Sequence, residues 1–135
     1  MANVNTFEVH NLGPERVLVC GSFRPQGTGA VVAADTSPQS HAGFSVARTG
    51  VGDYLITFDD VWQDMQGCFF SAREAAGAPT YVQGGDYVAA SKTLACTIMQ
   101  ESAGTTAATD LADDVDNRVS FMCFFKNTAV GAAST

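Results

Sequence analysis

Basic residues and histidine are the scarcest chemical resource of this chain. Lys and Arg number seven against fourteen Asp and Glu, only two His occur, and the formal net charge is −7. Arg16, Arg24, Arg48, Arg73, Lys92, Arg118 and Lys126 stand singly along the sequence. Nucleic acid demands clustered cations facing its phosphates, so no nucleic-acid partner is expected. His10 and His41 both sit in polar, loop-like stretches, which leaves little for general acid–base chemistry. No GxSxG elbow, HExxH pair, P-loop or dinucleotide-binding glycine pattern occurs. The chain is not expected to be an enzyme, and no catalytic or cofactor-binding residue is assigned.

Long hydrophobic runs are also missing. No stretch of about 18 apolar residues occurs, so no membrane-spanning helix is expected. The opening "MANVNTFEVHN" has neither a basic nor an apolar signal region, and export by the usual route is not expected. Cysteine is present four times without a CxxC or Cys/His cluster. Cys20, Cys68, Cys96 and Cys123 each lie in an apolar run, as reduced cysteines packed in strands do. Zinc sites usually bring paired local ligands, so no metal is assigned. Two acidic clusters, "DDVWQD" and "DLADDVDN", offer oxygen ligands of the kind Ca²⁺ takes. The second lacks the central Gly and closing Glu of an EF-hand, and a turn whose Asp and Asn bond local backbone explains it as well.

What is abundant is two-residue alternation. In "RVSFMCFFK", Val119, Phe121, Cys123 and Phe125 share one face, while Met122 and Phe124 share the other with Arg118, Ser120 and Lys126. The same period runs through Tyr54, Ile56 and Phe58, through Leu94, Cys96 and Ile98, through Cys68, Phe70 and Ala72, and through Val17, Val19 and Phe23. Turn residues separate these runs. Short strands at such spacing predict an all-β fold, an antiparallel β-sandwich or a β-barrel-like single domain. Helix is expected at most as a turn or two in "SAREAAGA" and "TAATDLADD". The length of 135 residues suits one domain. Residues 1–14 are expected to form an extended N-terminal arm, 15–128 the β domain with a long loop over 25–42, and 129–135 a C-terminal tail.

"GFSVARTGVGDYLITFDD" is the sharpest local pattern, a strand, a glycine-punctuated turn and a second strand. Together with "DLADDVDNRVSFMCFFKNTAV" it resembles small virion structural proteins of tailed bacteriophages, over about a third of the chain. In those proteins an Arg-Thr-Gly strand end precedes a Gly-x-Tyr strand, and an Asp-Asn-Arg turn opens the closing strand. The resemblance implies a capsid decoration (cement) protein or the capsid-bound base of a head fibre. It further implies a β-rich homotrimer on the outer surface of the virion head, assembled in the host cytoplasm, with the major capsid protein as partner. Sparse charge (16% of residues) and many Ala, Gly, Ser and Thr suit broad protein contact. Val4, Phe7 and Val9 of the arm, with Arg48 and Trp62, are the candidate partner-contact residues. The alternative is an adhesin domain of a tail or fibre, binding glycan through Trp62 with Tyr81 and Tyr87.

Overall fold

Ten strands alternate between two antiparallel sheets packed face to face, in a computed structural model that describes residues 8–13, 16–31, 36–37, 43–60 and 64–126. The strands are β1 (Glu8–Gly13), β2 (Arg16–Phe23), β3 (Thr36–Ser37), β4 (Phe44–Gly50) and β5 (Asp53–Phe58), followed by β6 (Asp64–Arg73), β7 (Thr80–Val88), β8 (Thr93–Ser102), β9 (Thr105–Ala108) and β10 (Arg118–Lys126). One sheet has the order β1-β2-β10-β6, with β3 beside β2. The other has the order β4-β5-β8-β7, with β9 beside β8. The sheets do not close into a barrel, so the fold is a β-sandwich.

The expected alternation is what the strands bury. Val17, Val19 and Phe23 of β2 and Val119, Phe121, Cys123 and Phe125 of β10 form the inner face of one sheet. Phe44, Val46, Tyr54, Ile56, Phe58, Leu94, Cys96 and Ile98 form the inner face of the other. Aromatic edges lock the two layers. Phe58 meets Phe125 with ring centroids 5.4 Å apart, and Phe44 meets Phe121 at 5.0 Å, both edge to face. Such pairs add about 0.5–1.5 kcal/mol each beyond the area they bury. In the β4–β5 hairpin, Phe44 pairs with Phe58 and Val46 with Ile56, so two rungs of the hairpin place four side chains in the core.

No helix forms among the described residues. "SAREAAGA" continues β6 to Arg73 and then turns. The Glu74 carboxylate accepts from the backbone of Ala76 and Ala78, and Gly77 adopts a left-handed φ of 78°. That local carboxylate-to-backbone bonding competes directly with a helix. "TAATDLADD" becomes β9 followed by an irregular crossing, because Ser102–Thr105 closes a two-residue hairpin through Ala103 and Gly104, both at positive φ. The arm expected over residues 1–14 contains β1, hydrogen-bonded along β2 in register Val9 to Val19. The loop expected over 25–42 is interrupted at β3 and begins with a buried Pro25 and a bond from Gly27 N–H to the Leu111 carbonyl.

Gly21 sits under two of the aromatic rings. A Cβ there would lie 2.5 Å from a ring carbon of Phe44 and 2.7 Å from one of Phe121. Gly21→Ala is therefore expected to push the two layers apart and to cost about 1–3 kcal/mol. Urea unfolding measures it as a lower midpoint with an unchanged slope.

Candidate functional site: an end strap and an apolar sheet face

Two features stand out from the sandwich, and both follow from how β10 is delivered. β9 ends in one sheet at Ala108, and β10 starts in the other at Arg118. The nine residues between them cross the end of the sandwich as a strap. Its carboxylates do not converge. Asp110 takes the Arg48 guanidinium in a two-pronged pair at 2.9 and 2.7 Å, Asp113 takes Arg24, and Asp116 takes Arg73 at 2.8 Å. Asp114 accepts from the Asp116 N–H at 2.8 Å. Asn117 is buried and bonded at both ends of its amide: its side-chain oxygen accepts from Ala75 N–H and its NH₂ donates to the Ala112 carbonyl. Among the described residues no group of three or more His, Cys, Asp or Glu could hold a metal ion.

The Arg48–Asp110 pair is the most enclosed of the three, with side chains 20% and 13% exposed. One Asp110 oxygen also accepts from Gly52 N–H at 2.9 Å. Gly52 has φ 70°, and a Cβ there would come within 2.7 Å of Thr109 N and 2.8 Å of Ile98 O. The turn is thereby pressed against β8 and the start of the strap, and Ile98 bonds Gly52 O and Thr109 N on either side. The Arg48 hydrogen bond holds the Asp110 carboxyl below its usual range, helped by Gly52 N–H and by the Arg48 charge, and opposed by burial. Nearby, Tyr54 is 1% exposed, and its hydroxyl has no hydrogen-bond partner among the described residues. Burial pushes this phenol up to about 12, with the Asp110 charge adding to the shift.

The second feature is the outer face of the sheet β1-β2-β10-β6. Its three central rows are set by register. Leu18, Phe124 and Gly67 form one, Cys20, Met122 and Phe69 the next, and Ser22, Ser120 and Ser71 the third. Phe69 is 63% exposed and Met122 is 37% exposed, and the Phe69 ring stands edge to face with Phe124 at 5.9 Å. Beside this ridge lies an open hollow of about 420 Å³ floored by the serine row. Arg118 and Arg73 end the strands on that side, and Lys126 and Asp64 end them on the other.

Two of the five candidate contact residues, Val9 and Arg48, fall on described strands. Val4, Phe7 and Trp62 lie outside the described residues. Val9 lies in β1 opposite Val19. Arg48 is half-buried and paired with Asp110. Tyr81 is 52% exposed, while Tyr87 packs inward on Phe58 and Phe125, so β7 turns the two rings to opposite sides. The four cysteines carry no disulfide. Burial raises the thiols of Cys68, Cys96 and Cys123, which makes them packing groups and not nucleophiles. Sequence alternation alone places Phe69, Met122 and Phe124 opposite the core-facing set. Their union into one patch requires knowing that β6, β10 and β2 are neighbours.

Comparison with known protein families, curated proteins and solved structures finds no match to this chain.

Two outcomes test the strap. Because the Asp110 carboxyl is lowered in the folded protein, its contribution is complete above the ordinary Asp value near 3.8 and is lost as pH falls through the lower folded value. Asp110→Asn is expected to lower the melting temperature at pH 7 and to flatten the acid limb of a stability–pH profile. Tyr54→Phe removes a buried hydroxyl without a partner, and such a group costs about 1–3 kcal/mol to bury. This substitution is expected to leave thermal stability unchanged or raised.

Proposed function

We propose that the chain is a structural protein of a tailed-phage virion, a decoration protein that binds the outer surface of the head through protein contacts. The observation that carries this reading is the apolar, weakly charged outer face of the β1-β2-β10-β6 sheet, a surface shaped for protein and not for a small substrate. The resemblance of the β4–β5 and β10 segments to virion proteins points the same way. In this reading the rigid sandwich holds a shape, and the face and the N-terminal segment make the contacts. A shell stabilised by such a protein gains from mass action, because the bound copies favour the assembled state only. The partner is the major capsid protein, and the resemblance implies three copies of this chain acting together. No chemistry is involved.

Residues 1–7 can be removed without touching β1, which starts at Glu8. Removing 1–12 would take away most of β1 as well and bare the edge of β2. The shorter truncation is expected to keep the circular dichroism spectrum and lose binding to heads. Electron microscopy of particles labelled with a gold-tagged antibody against the chain tests the placement. Label on heads supports it, label on tails supports the adhesin alternative, and particles without label contradict both.

A further inference from the structure

We propose that Cys68 and Cys123 form a redox-controlled cross-strand staple, two thiols that oxidation joins into a disulfide between β6 and β10. This goes beyond the proposed function and does not depend on it. Cys68 of β6 stands directly opposite Cys123 of β10 in the antiparallel ladder. Directly opposed residues send their side chains to the same face of a sheet. Cys123 is fully buried on the inner face, and Cys68 packs against the same core. A Cβ on Gly84 would lie 2.9 Å from the Cys68 sulfur, so that sulfur reaches toward β7 of the facing sheet. Gly84 is in turn the register partner of Cys96 on β8. Burial is the main cause of the raised Cys96 and Cys123 thiols, and Cys68 is the next cause in both, which sets it within electrostatic reach of each.

Ladder geometry selects Cys123 as the partner of Cys68. The Cα atoms of directly opposed antiparallel residues stand about 4.5 or 5.5 Å apart, depending on whether the pair is hydrogen-bonded. Both values fall within the range of about 4.4–6.8 Å that a disulfide spans. Cys96 belongs to the facing sheet, and facing sheets stand about 10 Å apart. Cys20 alternates with the inward Val19 and lies opposite Met122 and Glu8, so no cysteine faces it in the ladder. The Cys68 sulfur stands over a glycine, and no side chain of Gly84 pins it there.

Burial keeps these thiols protonated at neutral pH, so at rest they serve packing, and the bond forms slowly and only with an oxidant that reaches them. Cys68 is the entry point, because it is half-buried while Cys96 and Cys123 are buried. A peroxide is small enough to serve. The Cys68 sulfur attacks it, the O–O bond breaks, a sulfenic acid forms and one water leaves. The Cys123 sulfur then attacks the Cys68 sulfur, the S–S bond forms, and the hydroxyl leaves with the Cys123 proton as a second water. Two thiols are oxidised and one peroxide is reduced to two waters. A chain that folds reduced and later meets an oxidising medium gains the bond after folding.

The bond ties the central strand of its sheet to its neighbour and closes a loop of about 55 residues. A loop of that length restrains the unfolded chain enough to raise the melting temperature by on the order of 10 °C. The test treats the full folded chain with hydrogen peroxide and compares it with the chain kept in dithiothreitol. The oxidised chain is expected to lose two of its four thiols when titrated after unfolding, with an intact mass lower by two hydrogens. Peptide mapping without reductant is expected to join the Cys68 and Cys123 peptides. The melting temperature is expected to rise and to fall back on reduction. Cys68→Ala is expected to abolish the gain, and Cys96→Ala to keep it. The map of the parent chain decides the pairing even where a core variant fails to fold. A full set of four thiols after treatment, a mass gained as oxygen without a cross-link, a bond between two chains, a Cys68–Cys96 pair, or a Cys68–Cys123 bond that leaves the melt unchanged overturns the proposal.

Discussion

The last described strand is the middle of its sheet, and the rest of the molecule is arranged around that constraint. β10 lies between β2 and β6, and its inner face supplies Val119, Phe121, Cys123 and Phe125 to the core. Until it is in place, β2 and β6 have no neighbour in common, and Phe44 and Phe58 of the opposite sheet lack the β10 rings they meet edge to face. The strap that delivers β10 is therefore tied down residue by residue. Three arginines from three different strands or strand ends each take one of its aspartates, and Asn117 is buried with both ends of its amide satisfied. Exposed ion pairs contribute little singly, about 0–1 kcal/mol. Their value here is that each fixes one point of a crossing that has no strand partner of its own.

The same pleat that builds the core builds the outer face. A strand in a sandwich sends every second side chain inward and every other one outward. In β4 the outward set is polar and small, with Ser45, Ala47 and Thr49. β10 and β6 break that habit by sending Met122, Phe124 and Phe69 outward. Exposed apolar groups cost solubility and mark places where another surface fits. A protein that only had to fold would gain nothing from them. The proposed contact role gives those three side chains a reason to be there.

The fold was legible because its signal is local. Val119, Phe121, Cys123 and Phe125 announce a buried strand face within nine residues, and Phe44 to Phe58 announce a hairpin within fifteen. The strap was not legible, because its partners are distant. Arg48 lies 62 positions from Asp110, Arg24 lies 89 from Asp113, and Arg73 lies 43 from Asp116. Nothing in the sequence tells a solvated acidic turn from one that is paired in this way. For the same reason the sequence offers Arg48 as a candidate contact residue without showing its pair with Asp110. The helical turns expected at Ser71–Ala78 failed for a local reason, since Glu74 bonds the backbone that a helix would need.

The central claim is that β10 is the keystone of the fold, held by the strap and, among the described residues, covered on one face only. Amide hydrogen exchange, followed residue by residue on the full chain, tests it most directly. The account predicts that Phe121 and Cys123 amides exchange only through global unfolding, with the same free energy as Ile56 and Ile98 in the opposite sheet. Exchange of β10 through a partial opening, while β5 and β8 stay protected, would contradict it.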